Sequence, residues 1–505
     1  MAAATVTASE QPQETLEAED IQGLVLRGYG PLAAARFFLL EVVNDDRARD
    51  YLQKLCGRLN LASISPETTA LQVAFTAQGL ARLGVPKSAL DTFSREFREG
   101  MDDNVRPDIL GDRGANDPST WEWGRQPEPI HVLLMVYALD DTTLTQVLET
   151  ERPSIEAGFK IRHEKETITL TGQKEHFGWR DGISMPKIAG VPPAVPAVAP
   201  AERPQKKRKE SWTDPLPPGE FVLGYRNDYQ AFTECPTAEL ADDPANHLPV
   251  IVVGNETKKS LGRNGTYLVY REMTQHVIEL WDYLEKSSRE PGKDPAARAI
   301  ALGAKIVGRW PGGAPLITSP ERDDDKRADE NDFVYEGDES GLRCPHGAHI
   351  RRSNPRDVLA VEDRSHDASK QMVRKHQMIR RGRAFGRPVA ETMNPRDILA
   401  ARGKPDHERR GLHFICLVGS IERQFEFVQR NWVHSANFDS LFKDADPITA
   451  ARRSSADENP NDEFTCPADP VRRKYKAMPP FTRLVGGGYF FLPGIAALRF
   501  ISRHP

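Results

Sequence analysis

The 505-residue sequence predicts an α+β fold with two lobes of related plan. Three observations predict it. Short apolar runs of strand length alternate with amphipathic helical segments, the order β-α-β occurs twice in the first third of the chain, and similar segments return after Gly262. At about 150 residues per domain, a chain of this length has room for two such lobes and long insertions.

The first lobe is predicted from its apolar runs and the helical segments between them. The runs expected to form strands are 35–43, 69–76, 131–139 and 161–170. The segments expected to form helices are 45–59, a short stretch that ends at Leu83, and 142–151. The resulting order, β-α-β followed by β-α-β, is the split-βαβ plan of a ferredoxin-like sandwich, in which helices pack on an antiparallel sheet.

A proline-rich segment interrupts the pattern at 190–218. It holds eight prolines and the basic run Lys206-Lys207-Arg208-Lys209, and it has no apolar period, so we expect an exposed loop. The basic run is better explained as a solvated cluster than as a nuclear address. Residues 1–20 are acidic and rich in small side chains, which predicts a mobile tail. The lobes are therefore expected at 21–240 and 241–505.

The second lobe repeats the plan with longer insertions. Its expected strands are 266–273, 411–419 and 486–494, and its expected helices are 274–285 and 421–432. Two acidic loops, 321–332 and 457–462, lie between these elements. Neither has the glycine-centred twelve-residue spacing of a calcium loop, so both are interpreted as solvated surface.

Composition and charge exclude several functions. The net charge of -5 argues against non-specific nucleic-acid binding, and no run of 18 apolar residues exists to span a bilayer. The five scattered cysteines form no CxxC pair, which fits a reducing compartment better than a disulfide framework. With no leader pattern visible, we expect a cytoplasmic protein, although the sequence leaves export open and does not indicate an oligomeric state.

The first of three segments that can carry chemistry is GWRDGIS, 178–184. Asp181 follows a predicted strand and precedes Gly182, whose freedom at positive φ allows a sharp turn that directs the carboxylate into a cleft. Taken alone, the pair is most often an ordinary Asp-Gly turn.

The second segment is CPHGAHIRRSNPR, 344–356. It offers His346 and His349, separated by the small residues Gly347 and Ala348, which would leave room for a flat group. A zinc site would need a further ligand, whereas an axial haem ligand requires only one imidazole and a hydrogen-bond acceptor behind it.

The third segment is MIRRGRAFG, 378–386. Its arginines form a dense positive cluster, suited to a solvated face, to phosphate, or to a site where negative charge develops.

Together the three segments resemble the dye-decolorizing peroxidase family. That family carries a GxxDG motif, a proximal His before an R-x-x-N-P-R-like tail, and a distal Arg in an I-x-R-R or I-x-R-D context. Met378 stands here in place of the family's Ile. The resemblance extends to the segments at 21–30, 304–315, 411–432 and 486–498, and the long insertions resemble the larger subgroup.

The resemblance implies two ferredoxin-like lobes around one haem b, and a peroxidase that uses hydrogen peroxide to oxidise dyes and phenolic or lignin-like donors through a ferryl intermediate. It implies that Asp181 is the acid-base group and that Arg380, rather than the adjacent Arg381, stabilises the developing charge. His349 matches the iron ligand, and His346 is not expected to bind the metal.

Further site residues are expected around these three. The carboxylate behind His349 is predicted to be Asp446, with Asp444 as the competitor. Arg356 is expected to meet a haem propionate, and Leu412 and Phe414 to cap the distal pocket, unless they belong to the ordinary core.

Bulky donors would be oxidised at the surface through an aromatic residue. The candidates are Trp281, Tyr283, Tyr267 and Trp432. A haem-binding or haem-delivery protein with little peroxidase turnover is the alternative function, and it would need His349 but not Asp181.

Overall fold

The structure is a computed structural model that describes residues 15–191, 212–359, 365–403, 408–453 and 460–504. Most of the predicted mobile tail, the centre of the proline-rich segment with its basic run, and part of the second acidic loop lie outside these residues.

A single nine-stranded sheet organises the described part of the chain. Its strands are β1 (Ala34–Val42), β2 (Thr69–Phe75), β3 (Val132–Ala138), β4 (Phe159–Thr167), β5 (Thr266–Gln275), β6 (Ile379–Arg380), β7 (Arg383–Phe385), β8 (Gly411–Val418) and β9 (Thr482–Leu492). Their order is β7-β8-β5-β9-β2-β3-β1-β4, and β6 also pairs with β8. The paired neighbours are antiparallel.

The strand order contains the same plan twice. β1 to β4 are arranged 2-3-1-4, and the strands of the second half follow the same order when β6 and β7 together count as its second strand. Two split-βαβ units of this kind confirm the predicted α+β class. The halves share one sheet through the β2–β9 contact, where Phe75 is paired with Phe491. The two edges of the sheet also approach each other, because the Ile168 N–H donates to the Ala384 carbonyl at 2.8 Å.

Helices cover the sheet, and the predicted ones begin close to their expected positions. The α-helices are Gly23–Leu26, Asp45–Cys56, Ala77–Arg82, Lys87–Leu90, Arg95–Glu99, Arg106–Leu110, Asp141–Gly158, Val277–Ser288, Pro295–Val307, His349–Ser353, His366–Arg374, Pro395–Ala401 and Ile495–Ile501. Smaller strands form two additional sheets, at Thr237–Ala238, Val250–Val253 and Glu256–Ser260, and at Phe464–Cys466 and Arg473–Tyr475.

Three predictions of secondary structure were wrong in detail. The helix expected at 142–151 continues through Pro153 to Gly158, where the glycine lets it pack closely against Ala48. The segment expected as a regular helix at 421–432 forms two π-helical turns, Ile421–Glu426 and Val428–Val433. The strand at 486–494, which the sequence pattern predicts to be the last element, is followed by a helix, Ile495–Ile501, which packs most of its apolar side chains in the core.

Apolar residues pack on both faces of the sheet because successive side chains of a strand point to opposite sides. Phe38 and Leu40 of β1 belong to one core, and Phe37 and Leu39 belong to the other. Among the described residues, no helix is long and apolar enough to cross a bilayer. All five cysteines are free thiols.

Candidate active site

A cavity of about 300 Å³ opens on one face of the sheet in the second half. β5 and β8 form part of its wall, the helix at His349–Ser353 contributes the predicted histidine, and the segment 175–184 enters from the first half. The predicted residues that line it are Asp181, His349, Arg356, Arg380, Leu412 and Phe414. The fold therefore brings together residues that lie more than 200 positions apart in the sequence.

Asp181 and Arg380 form an ion pair in this cavity. Arg380 Nη1 lies 3.1 Å from Asp181 Oδ1, and both side chains retain access to the open space. The turn is held by the Gly182 N–H, which donates to the same oxygen at 2.6 Å. Gly182 has φ of +79°, which favours glycine, so the sequence prediction of a sharp turn here agrees with the backbone.

The two neighbouring arginines of the third motif point in opposite directions. Arg380 lies beside Cys416 in the β6–β8 pair and faces the cavity. Arg381 faces the other side, where its Nε donates to the Leu24 carbonyl at 2.8 Å. Strand geometry thus separates them, and only Arg380 lines the cavity.

His349 is held from behind by Asp446. Its Nδ1 lies 2.8 Å from Asp446 Oδ2, and Asp446 is fully buried. The other carboxylate oxygen, Oδ1, accepts from the N–H groups of Ile448 and Thr449 at 3.0 and 2.8 Å. Because Nδ1 is engaged, Nε2 is the ring nitrogen that is available to a ligand in the cavity.

The charge of Asp446 changes the proton affinity of the ring. Burial acts to lower the pKa of His349, but the neighbouring carboxylate outweighs burial and the pKa is raised. Burial acts to raise the pKa of Asp446, and the interaction with His349 outweighs it, so that pKa is lowered.

The alternatives that the sequence left open lie elsewhere. Asp444 accepts from the Thr465 N–H at 2.6 Å and has no contact with His349 among those the structure shows. His346 pairs with Asp439 and does not line the cavity. Gly347 and Ala348 do not leave room for a flat group as expected, because a side chain at Gly347 would meet Phe464 at 3.3 Å and Ala348 is buried in the core.

Leu412 and Phe414 alternate along β8 and both line the cavity, together with Met378. Phe414 and Met378 also pack against one apolar core. The sequence offered a cavity cap and an ordinary core residue as alternatives for Leu412 and Phe414. Leu412 lines the cavity, whereas Phe414 both lines it and packs against the core.

Arg356 differs from its expected environment. Its guanidinium donates to the Asn331 carbonyl and side chain, each at 2.8 Å, and lies 3.8 Å from the centre of the Phe333 ring. These contacts use both terminal nitrogens, although the residue still borders the cavity.

Arg309 is a cavity residue that the sequence analysis missed. Its Nη1 donates to the carbonyls of Gly313 and Glu330, both at 2.8 Å, whereas its buried Nη2 has no hydrogen-bond partner in the described part of the chain. Burial lowers its pKa to about 10, so the group remains a cation at neutral pH. The sequence signal that could have identified Arg309 is its position within 304–315, one of the segments to which the family resemblance extends.

The donor set of the cavity fits a haem. It offers one free imidazole nitrogen, on His349, and an unpartnered cationic donor, on Arg309, which suits a propionate. Apolar side chains that could contact a macrocycle also line the cavity, at Leu412, Phe414, Val433 and Leu484.

Three of the four aromatic residues proposed for surface oxidation are buried. Trp281, Tyr267 and Trp432 are exposed by 4% or less, so the prediction that they meet a bulky donor directly was wrong. Each sits on the core face of its element, which aromatic content alone does not reveal. Tyr283 is half-buried, and its hydroxyl donates to the Lys476 carbonyl at 3.1 Å.

Trp281 nevertheless lies close to the cavity through a second indole. Its ring stacks on Trp179, with ring centres 5.3 Å apart and planes inclined by 15°. Trp179 lines the cavity and donates from Nε1 to the Arg309 carbonyl at 2.8 Å. In the sequence Trp179 is one residue of the GWRDGIS motif, and no pattern there marks it as a cavity residue.

Comparison with known proteins gives the same class as the geometry. The chain is 28% identical over 513 residues to dye-decolorizing peroxidase msp1 of Mycetinis scorodonius, which covers 97% of this chain and 89% of that protein. It is 28% identical over 492 residues to multifunctional dye peroxidase DyP2 of an Amycolatopsis species, covering 94% and 90%. No family model matches the chain.

Solved structures share the fold. An ancestral D-type dye-decolorizing peroxidase has a TM-score of 0.72 at 24% identity, covering 96% of this chain and 99% of that one. A dye-decolorizing peroxidase in complex with 2,6-dimethoxyphenol has a TM-score of 0.72 at 22% identity, covering 97% and 100%. The similarity of the sequence to these enzymes, which extends over almost the whole chain, indicates an enzyme of the haem-peroxidase class. The chain is a homologue of the dye-decolorizing peroxidases, which confirms the resemblance of its motifs.

Proposed function

We propose that this protein is a haem b peroxidase that uses hydrogen peroxide to oxidise aromatic one-electron donors such as dyes and phenols. The observation that carries the proposal is one cavity that holds both the His349–Asp446 pair and the Asp181–Arg380 pair. The first pair suits an iron ligand, and the second suits the cleavage of an O–O bond.

Asp181 acts as the acid-base group. As a carboxylate it accepts a proton from one oxygen of hydrogen peroxide and returns it to the other, so that the O–O bond breaks heterolytically and water leaves. Arg380, 3.1 Å away, donates to the oxygen on which negative charge develops. A bound haem would supply the redox chemistry of the reaction, which exchanges electrons with peroxide and with the aromatic donors.

Other residues hold the cofactor. His349 would bind the iron through Nε2, and Asp446 would fix the ring orientation and increase its basicity by accepting from Nδ1. The unpartnered Nη2 of Arg309 would receive a propionate. Arg356, which the sequence predicts to contact a propionate, would contribute mainly by lining the cavity.

The haem-delivery alternative requires a ligand and propionate contacts only. It gives no reason for an Asp181–Arg380 ion pair on an open cavity wall, since an exposed pair adds little to stability. The pair therefore favours the peroxidase.

Two variants and one spectrum test the proposal. Protein supplied with haem should show an intense Soret band, and His349→Ala should lose it. Asp181→Asn should keep the band and lose peroxide turnover by roughly 100-fold to 10,000-fold, because a positioned proton carrier contributes that much. A fully active Asp181→Asn variant would contradict the peroxidase mechanism and leave the carrier.

Bulky donors require a site outside the cavity, and Tyr283 is the remaining candidate. Burial raises the pKa of Tyr283 to about 12, so the phenol is protonated at neutral pH. Replacing it with Phe should lower the turnover of a bulky dye while that of a small phenol is unchanged, with the exposed Tyr229→Phe as the control. Equal dye turnover in both variants would remove Tyr283 from consideration.

The location is proposed to be a reducing compartment such as the cytoplasm. The five thiols are all free, and burial raises the pKa of each, which keeps them protonated and unreactive. Fractionation of the source cells with an antibody to the protein is the direct test.

A further inference from the structure

A second carboxyl group lines the cavity six residues before Asp181. Glu175 receives three hydrogen bonds there. Its Oε2 accepts from the Phe177 N–H at 2.8 Å and from Gln275 Nε2 at 2.6 Å, and its Oε1 accepts from the Trp179 N–H at 3.0 Å. The side chain is thus fixed at the cavity wall by its own turn and by β5.

The contact with Gln275 permits two protonation states. Gln275 is 8% exposed, and its Oε1 has no hydrogen-bond partner among the described residues. An amide can present either its NH₂ group or its oxygen to a neighbour. A Glu175 carboxylate would accept from the NH₂ group, and a Glu175 carboxylic acid would donate to the oxygen after a flip of the amide, so the pair keeps a hydrogen bond in both states.

The surroundings of Glu175 allow both its carboxylate and its carboxylic acid to be populated at neutral pH. Burial is the main cause that raises the pKa of Glu175, the three donors oppose it, and the negative charge of Asp181 raises it further, to about 7. Lys174 is the neighbouring cation on the same segment. The other charged or titratable groups on the cavity wall are Arg180, Arg271, Arg309, His349, Arg356, His376 and Arg380.

The proposed reaction needs protons that Asp181 does not supply. Reduction of hydrogen peroxide to two water molecules consumes two electrons and two protons. Asp181 takes a proton from peroxide and returns it, so its net contribution is zero. A phenol releases a proton with each electron, but an aromatic donor without an acidic proton releases only the electron.

We propose that Glu175 is a proton-supplying residue of the cavity, with Gln275 as the partner that keeps it hydrogen-bonded before and after the transfer. The carboxylic acid gives its proton to the oxygen that leaves as the second water, the carboxylate regains a proton from solvent, and a second transfer of the same kind delivers the other proton. This inference rests on the proposed function, because only a peroxide-reducing cavity consumes protons.

The first experiment measures Glu175 in the protein without cofactor. Infrared difference spectra between pH 6 and pH 8 should show the C=O band of a protonated carboxyl that disappears as the pH rises. Glu175→Gln should lose this band, and Glu175→Asp should keep a carboxyl band. Glu122→Gln, which removes an exposed glutamate on the surface, should retain the wild-type band.

The second experiment measures turnover of the haem-loaded protein with a donor that has no acidic proton. Wild-type kcat should fall between pH 6 and pH 8. Glu175→Gln should be independent of pH in this range and about 10-fold slower at pH 6, a smaller loss than for a sole proton carrier, because solvent still delivers protons. The KM for peroxide should not change, and Glu175→Asp should restore part of the pH dependence.

The inference would be overturned if Glu175→Gln kept the wild-type pH profile or retained the carboxyl band. The peroxidase function would still be upheld in that case if Asp181→Asn lost its peroxide turnover. If Glu175→Gln does not fold, Gln275→Leu provides the test. Losing a donor to the carboxylate should move the Glu175 infrared titration to higher pH, and an unchanged titration would overturn the inference.

Discussion

Asp446 accepts hydrogen bonds from one ring and three groups of its own loop. His349 Nδ1, the N–H groups of Ile448 and Thr449 and the Thr449 hydroxyl all lie within 3.0 Å of its oxygens. A carboxylate with this many donors stays charged when buried. It therefore fixes which nitrogen of His349 faces the cavity before any cofactor arrives.

Replacing Asp446 with Asn should destabilise the protein without cofactor. The Asn amide has the size of the carboxylate, but it lacks the charge and turns its NH₂ group toward groups that are themselves donors. Because this breaks a buried ion pair, we expect the free energy of unfolding to fall by about 3–5 kcal/mol. Urea unfolding measures it. The same change at Asp439, which pairs with the partly exposed His346, is the matched control and should cost less than half as much. Equal costs would mean that burial of Asp446 is not the decisive difference.

The motifs predicted Asp181, Arg380 and His349 because each stands at a recognisable sequence position, and Asp446 was predicted only from its distance downstream of the arginine motif, with Asp444 as the competitor. The residues that sequence analysis missed, Glu175, Arg309, Trp179 and Gln275, have their significance from burial and from partners on distant elements. The prediction that Trp281, Trp432 and Tyr267 lie at the surface was wrong for the same reason. Periodicity places a side chain on a face of its own element but does not say what covers that face.

At the scale of elements, the strands were predictable and the connections were less so. β1, β3 and β8 are apolar runs whose length identifies them. The helix through Pro153 and the π-helical turns depend on packing, because a proline or an extra residue in a turn is tolerated only when neighbours compensate for the lost hydrogen bonds. The boundary between lobes at 240 and 241 stays a prediction.

The three successive glycines of β9 illustrate an element shaped by its neighbour. Glycine weakens a strand unless another group must approach closely. At Gly486 a side chain would lie 2.3 Å from Trp123 Nε1, and this indole is fixed by its hydrogen bond to Glu272 Oε2 at 2.6 Å. The glycines of GGGYFF therefore allow this strand of the second half to lie directly against Trp123 of the first half.

Gly486→Ala should lower the free energy of unfolding by about 1–3 kcal/mol, the usual cost of overpacking a rigid core. Gly30→Ala is the control, since nothing lies within 4 Å of the added carbon there, and its effect should be within about 0.5 kcal/mol. Thermal and urea unfolding of both variants provide the comparison. A neutral Gly486→Ala would show that Trp123 can move.

At the scale of the whole molecule, polar groups join the halves across a continuous sheet. Arg271 of β5 forms a buried ion pair with Asp112 of the first half at 2.5 Å. His413 of β8 contacts the Glu166 carbonyl of β4 at 3.0 Å, where the two edges of the sheet approach, and the Tyr270 hydroxyl at 2.9 Å. The Arg271–Asp112 and His413–Glu166 contacts belong to no single lobe.

His413 predicts an acid sensitivity of the fold. Burial lowers its pKa to about 4, so the folded state holds it neutral while the unfolded chain binds a proton below its ordinary value near 6.5. Its contribution is complete above pH 6.5 and is lost as the pH falls toward 4, at about 1.4 kcal/mol per pH unit. Urea unfolding of the protein without cofactor at pH 7, 6 and 5 measures this slope.

His413→Gln should make that slope shallower by about the same 1.4 kcal/mol per pH unit, because the amide does not titrate. The exposed His504→Gln is the control and should leave the slope unchanged. An identical slope in wild type and His413→Gln would show that His413 is already protonated in the folded state. Burial likewise lowers the pKa of the buried His176 to about 4, and desolvation lowers that of the half-buried His434 to about 3, so both add to the wild-type slope.

The opposite orientation of Arg380 and Arg381 has a consequence for mutational screens. One arginine borders the reaction cavity, and the next donates to the carbonyls of Leu24 and Val25 in the short helix Gly23–Leu26. A selection for dye decolorization alone would score the codons of Arg380 and Arg381 as equally intolerant of substitution. A parallel selection for cellular abundance would separate them, since substitutions at Arg381 deplete the protein and substitutions at Arg380 leave it abundant but inactive. Two adjacent codons would thus report separately on chemistry and on folding.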